Sequence, residues 1–190
     1  MKSAKHLASI GTVLAAACLL TACSSTQLKG DLGIKGAPDW VNQGTQVVDD
    51  KGGRLIHGVG LAPAMNDLSL QSSTADDRAR AEVARVLNSF MHVISQDYTA
   101  SSGTGQDQQS EQSMSRQIQN ITDQNLSGVR ILTRWANEKD GSLWSIAELD
   151  LSKVKDSVAN AQDMNAGFRD YFNAHADNVF ESLKTQGDHK

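Results

Sequence analysis

The fold of this chain has to form without a disulfide bond, because cysteine is almost absent from it. The 190 residues contain two cysteines, Cys18 and Cys23, and both lie near the N-terminus. Cys18 lies inside the apolar run 7–20, which follows two lysines. A positive start and an apolar run of about 14 residues are typical of a signal peptide, whereas a membrane-spanning helix needs about 20 residues. We therefore expect residues 1–22 to be removed, which leaves Cys23 without a cysteine partner in its own chain.

The end of the apolar run resembles a bacterial lipobox. Its residues are Leu20, Thr21, Ala22 and Cys23, and the small side chains before the cysteine suit a signal peptidase. In such a motif the cysteine becomes the first mature residue, its thiol takes a diacylglycerol and its new amine takes an acyl chain. We expect this lipid on Cys23 and no other cofactor. Two or more acyl chains anchor a protein stably in a membrane. The alternative is an ordinary secretory signal with a chance cysteine.

The residues after Cys23 bear on where the protein is held. Ser24 is not the aspartate that usually retains lipoproteins in the inner membrane, so the expected location is the outer membrane. Residues 23–37 are small and polar and include three glycines, which predicts a flexible tether. A flexible segment of this length spans roughly 20 Å. We therefore expect the folded domain to lie close to the lipid.

The rest of the chain predicts one α+β domain over residues 38–185. Two hairpins are expected to form an antiparallel sheet, the first from strands at 45–48 and 54–61, and the second over residues 129–150. The formal net charge is −4. A nucleic-acid partner is therefore not expected, because such proteins normally carry a basic face.

The helices are expected to pack on one face of this sheet. A hydroxyl cap at Ser72–Thr74 predicts a helix to about residue 96, with one buried stripe. A polar loop follows at 99–113, and a shorter helix begins near Met114. A long C-terminal helix is predicted over 152–183, with a bend or break at Gly167. The residues of the first stripe are Ala79, Val83, Val86, Leu87, Phe90 and Ile94.

Four segments in this order resemble the twenty-kilodalton lipoprotein family (LPP-twenty type). They are PDWV at 38–41, HGVGLA at 57–62, ADDRARAEVARVL at 75–87 and LWSIAELD at 143–150. Members of this family are small lipidated proteins of bacterial outer membranes, and relatives occur in flagellar accessory structures. The resemblance covers roughly residues 38–160. It implies an envelope protein that assembles or supports structures, and it brings no catalytic residues.

Few residues of the sequence suggest catalysis, ligand binding or metal binding. Gly58-Val59-Gly60 lacks the third glycine and the following helix of a phosphate-binding loop, so the glycines are interpreted as allowing a helix to approach a strand, or as a bulge. The histidines have no metal-ligand spacing, and no metal site is expected. His57 is interpreted as a hydrogen-bonded histidine of the core or its rim. No nucleophile elbow is present. The histidines after residue 22 are His57, His92, His175 and His189.

Paired carboxylates are explained without catalysis. Asp76 and Asp77 are placed in a first helical turn, where they complement the helix dipole. Glu148 and Asp150 are expected to pair across strands with Arg130 and Arg134. The expected protein is therefore not an enzyme and has no catalytic residues.

Aromatic residues are the candidates for contact with a partner. Trp135 and Trp144 are expected to lie opposite each other in the second hairpin, either as core or as part of a partner-binding patch. The long helix offers Phe168, Tyr171 and Phe172. We expect a lipoprotein of envelope structure or assembly that associates with itself or with an envelope complex. The alternative is an envelope enzyme or a lipoprotein that binds a small ligand.

Overall fold

A computed structural model describes residues 30–103 and 108–187. The predicted signal peptide and Cys23 lie outside these ranges. The described residues form three strands and five helices, with a 3₁₀ turn at Thr45–Val47. In chain order the elements are α1 (Asp39–Asn42), β1 (Leu55–Ala62), α2 (Leu68–Ser102), α3 (Gln108–Leu126), β2 (Arg130–Ala136), β3 (Leu143–Asp150), α4 (Leu151–Asn160) and α5 (Ala166–Gly187).

The strands form one antiparallel sheet in the order β1-β3-β2. The five helices and this sheet confirm the predicted α+β class, and β2 and β3 form the predicted second hairpin. The prediction of the first hairpin was wrong, because residues 45–47 form a 3₁₀ turn and β1 pairs with β3 instead. Asp49 and Asp50 accept hydrogen bonds from the N–H groups of residues 51–53. Three left-handed residues in succession, Lys51, Gly52 and Gly53, then lead the chain into β1 without a two-residue hairpin turn.

α2 begins earlier and ends later than predicted. The carboxylate of Asp67 caps it by accepting from the N–H groups of Ser69 and Leu70, at 2.8 and 3.0 Å. The hydroxyls of Ser72 and Thr74, predicted as caps, instead bond back to carbonyls one turn earlier. The helix ends at Gly103, whose φ of 65° is left-handed.

The predicted polar loop at 99–113 is largely helical. Residues 99–102 complete α2, residues 108–113 begin α3, and 104–107 lie outside the described residues. Tyr98 holds the end of α2, because its ring is buried and packs edge-on against Phe168 with ring centres 5.5 Å apart. Polar side chains on solvent-facing turns do not prevent a helix when one such anchor is buried.

The predicted long C-terminal helix is present as α5, and a break of the kind predicted near Gly167 separates it from α4. α4 ends at Asn160 and α5, a helix of 22 residues, begins at Ala166. The break precedes Gly167, which lies in the first turn of α5. Asn165 starts this second helix, because its side-chain oxygen accepts from the N–H of Phe168 at 3.0 Å. The same oxygen accepts from the Tyr98 hydroxyl at 3.1 Å, which ties the break to the end of α2.

The described end of the predicted tether folds back onto α1. The N–H of Leu32 donates to the carbonyl of Asn42 at 2.9 Å, and the N–H of Ile34 donates to the Asn42 side chain at 2.8 Å. Leu32 and Ile34 are thus tied to α1, and the domain boundary at Pro38 stays a prediction. Residues 23–29 of the predicted tether lie outside the described residues.

The core lies between the sheet and the helices. Every residue of the predicted α2 stripe is fully buried except Val86, which packs at the margin of the core. The ring of Phe90 meets Phe172 and Phe180 of α5 edge-on, with ring centres 5.7 and 5.8 Å apart. The helical layer is thus held together by aromatic contacts between α2 and α5.

Candidate functional site

The glycines of β1 determine how α2 lies on the sheet. A Cβ on Gly58 would lie 2.8 Å from the backbone N of Val83, and a Cβ on Gly60 would lie 2.8 Å from the carbonyl carbon of Arg78. Both positions are therefore open only to glycine while α2 keeps this place. This confirms the interpretation that the glycines allow a close helix approach.

A buried carboxylate joins α2 to the sheet on this helix-covered face. Asp76 accepts from Nε of Arg134 at 2.7 Å and from the hydroxyl of Ser145 at 2.6 Å, and Nη2 of Arg134 reaches its other oxygen. The hydrogen bond from Arg134 lowers the pKa of Asp76, and it outweighs burial, which acts in the opposite direction.

The sequence interpretation of Asp76 was wrong. Because α2 begins at Leu68, Asp76 lies beyond the first turn and does not complement the helix dipole there. One sequence signal could have identified it. Asp76 precedes Ala79 by three residues and Val83 by seven, so it lies on the buried stripe itself. A carboxylate on such a stripe requires a partner, and Arg134 provides it.

The opposite face of the sheet carries a line of three polar side chains across the strands. Nε2 of His57 lies 3.3 Å from one carboxylate oxygen of Glu148, and Nη2 of Arg130 donates to the other oxygen at 2.6 Å. His57 and Glu148 are buried. The predicted pairing of Glu148 with Arg130 and the predicted role of His57 are confirmed. Arg134 pairs with Asp76 instead, and Asp150 pairs with Arg54.

These polar groups do not form a hydrolytic centre. Ser145 is completely buried beneath α2, while His57 lies on the other face of the sheet. A serine nucleophile needs a base within hydrogen-bond reach and access to a substrate. Ser145 has a carboxylate neighbour and is not accessible to a substrate, so its hydroxyl serves as a hydrogen-bond donor to Asp76.

Trp135 and Trp144 lie directly opposite each other on β2 and β3, as predicted. They are on the face that carries His57 and Glu148, and both are half-buried. The indole N–H of Trp144 is buried, and no acceptor for it exists among the described residues. The pair therefore combines packing with partial exposure, and its role in partner contact stays a prediction.

The aromatic candidates on the C-terminal helix have different environments. Phe168 and Phe172 are fully buried core residues, so their side chains cannot form the predicted contact surface. The 3.6-residue repeat placed them correctly on one stripe, and that stripe faces α2. Tyr171 is half-buried and stacks on the exposed ring of His175, with ring centres 4.1 Å apart. Of the three, only Tyr171 retains an accessible ring.

Two grooves mark the surface beside β1. One, of about 460 Å³, runs between the free edge of β1 and α2. The other, of about 300 Å³, lies where the turn at Gly52 and Gly53 meets α4 and α5, and the ion pair of Lys155 and Asp177 occupies its rim. Within the described ranges no cluster of three or more histidine, cysteine or acidic side chains could hold a metal ion. None of the described helices is long and apolar enough to cross a membrane.

Comparison with known proteins gives no assignment. No protein-family model matches the chain, and a search of curated proteins finds no match.

Proposed function

We propose that the protein is a lipid-anchored outer-membrane component of envelope structure or assembly, and that it acts by binding another protein. Lipid on Cys23 holds it at the membrane, and the folded domain makes the contact. The resemblance to the twenty-kilodalton lipoproteins supports an envelope role. The proposal includes self-association and contact with a surface structure such as the flagellum as forms of the same activity.

The sheet edges are the observation that carries the proposal. The order β1-β3-β2 leaves β1 and β2 as outer strands, each with one edge to which no described strand pairs. Such an edge presents backbone N–H and C=O groups that can pair with another chain. Confinement by a lipid anchor raises the effective concentration of membrane partners, so modest contacts suffice for binding.

Lipid anchoring is tested by Cys23→Ser. The wild-type protein should fractionate with the outer membrane, and the variant should stay uncleaved or leave the membrane fraction. Wild-type protein that is soluble in the periplasm with a free Cys23 thiol would refute the anchor.

Partner binding is tested by crosslinking in intact cells. A short amine-reactive reagent should trap discrete oligomers or complexes, and these should decrease when the anchor is removed by Cys23→Ser. The contrary outcome is a protein recovered only as monomer, together with a purified domain that turns over a substrate or retains a small ligand. That result would replace the proposal with an enzyme or a ligand-binding lipoprotein.

A further inference from the structure

The free edge of β1 can be assigned residue by residue. In an antiparallel strand, the backbone groups of alternate residues point to opposite sides. The carbonyl of Arg54 accepts from the N–H of Leu151 at 2.8 Å, so even-numbered residues point toward β3. The carbonyl of Leu61 accepts from Nη1 of Arg78 at 2.5 Å, which agrees with odd-numbered residues pointing away. The free edge therefore consists of Leu55, His57, Val59 and Leu61.

Only the second half of this edge is accessible. The N–H of Leu55 already donates to the carbonyl of Asp50 at 2.9 Å, and His57 is buried. Val59 is half-buried and Leu61 is exposed. Among the described residues, no hydrogen-bond partner is present for the outward N–H and C=O of Val59 or for the N–H of Leu61. These groups can accept a short strand of about three residues.

The larger groove lies against this accessible part of the edge. Its first wall is residues 59–61 of β1, and its second wall is the face of α2 formed by Arg78, Ala81, Glu82 and Arg85. α2 runs alongside β1 in the opposite direction, since Ala75 lies against Gly60 and Val83 lies against Gly58. Because the two glycines have no side chains, α2 lies close to β1. The helix face that carries Arg78 and Arg85 therefore borders the free edge of the strand.

The helical wall of the groove is cationic. Arg78 is exposed and bonds to a neutral carbonyl, and no described carboxylate pairs with it. Arg85 lies two turns further along the helix, about 10 Å away. It bonds to Glu82 at 2.7 Å, but both side chains are well exposed, and exposed pairs of this kind are weak. A carboxylate entering the groove would meet Arg78 without having to displace another carboxylate.

We propose that β1 and α2 bind an extended acidic segment of a partner protein as a fourth strand of the sheet. The segment pairs with Val59 and Leu61 through its backbone and places a carboxylate on the guanidinium of Arg78. This inference rests on the proposed function, because it names the surface and the chemistry of the contact. Main-chain pairing provides affinity in this mode, and the side-chain contact provides selectivity.

The experiment uses the full-length lipoprotein in cells. A photoreactive phenylalanine replaces Ala81, an exposed residue of the groove, and irradiation should link the protein to one partner segment. The same amino acid at Gln96, exposed on α2 outside the groove, is the control. Mass spectrometry of the crosslinked peptide should identify a segment containing Asp or Glu.

Charge reversal distinguishes this mode from incidental proximity. Arg78→Glu should lower the crosslink yield by about tenfold, since it removes a charge-assisted bond and adds repulsion. Arg80→Glu makes the same charge change outside the groove and should leave the yield unchanged. Replacing the partner's carboxylate by arginine should restore crosslinking to the Arg78→Glu variant. Val59→Pro removes an outward N–H at a position where an edge strand tolerates proline, and it should also abolish the crosslink.

The outcomes separate the two proposals. Partners trapped elsewhere on the protein, with no crosslink at Ala81 or with a yield insensitive to Arg78→Glu, would overturn the strand-edge site and leave the proposed function standing. A protein that crosslinks to nothing at any position would overturn both.

Discussion

Arg134 and Asp76 connect the outer strand β2 to α2 through two hydrogen bonds from one guanidinium, the first from Nε to Oδ1 at 2.7 Å. The Asp76 side chain is 9% exposed, whereas that of Arg134 is 46% exposed. The carboxylate is therefore the buried member of the pair, and it depends on Arg134 and Ser145 for its hydrogen bonds.

We expect Asp76→Asn to lower the free energy of unfolding at pH 7 by about 1–3 kcal/mol, because it loses the charged bond to Arg134 while its place stays buried. The folded-state pKa of Asp76 is lowered, chiefly by Arg134. This stabilisation is therefore present above the unfolded pKa of about 3.9 and is lost as pH falls through the folded value.

Urea unfolding at several pH values measures this effect. The difference between wild type and Asp76→Asn should be full at pH 7 and should shrink below about pH 4. Asp77→Asn, at the exposed neighbouring carboxylate, should change stability by less than about 0.5 kcal/mol. A difference that stays constant down to acid pH would show that the charge of Asp76 does not stabilise the fold.

Gly58→Ala should destabilise the domain by about 3 kcal/mol, because the new methyl group would meet backbone atoms of α2 that can move only if the helix shifts. Gly30→Ala is the matched control, since a Cβ there meets no atom within 4 Å. Thermal unfolding of both variants provides the comparison. Equal midpoints would contradict the close contact between α2 and β1.

Glu148→Ala should cost more stability than Arg130→Ala. Glu148 has an 11% exposed side chain and holds both His57 and Arg130, so its loss leaves the buried His57 unpaired. The Arg130 side chain is 69% exposed, and its removal should cost less than about 1 kcal/mol. Chemical denaturation ranks the two, and the reverse order would refute this account of the polar line.

The sequence predicts elements best where one physical signal dominates. The stripe of α2 and the hairpin of β2 and β3 follow from hydrophobic periodicity and turn residues, and both are confirmed. The prediction of a strand at 45–48 fails because two valines before the turn residues 49–53 do not determine which strand pairs with β1. That choice is made by β3, a remote segment whose buried residues pair with β1 along its whole length.

The site was predicted only in part, since its geometry depends on which side each element presents. Periodicity placed Phe168 and Phe172 on one stripe, but it could not indicate that α2 would cover that stripe. The groove between Arg78 and the β1 edge has no local motif. It arises from two glycines in a strand and the direction of a helix that begins six residues after that strand ends.

Phe172→Ala should reduce the free energy of unfolding by about 3–5 kcal/mol, because the ring is fully buried and packs edge-on against Phe90. Tyr171→Ala, its half-buried neighbour, should cost about 1 kcal/mol, since much of its ring is already in contact with solvent and His175. Circular dichroism during urea unfolding measures both. If Phe172 were instead an anchor for a partner, its removal would leave the isolated domain as stable as wild type and would reduce crosslinking alone.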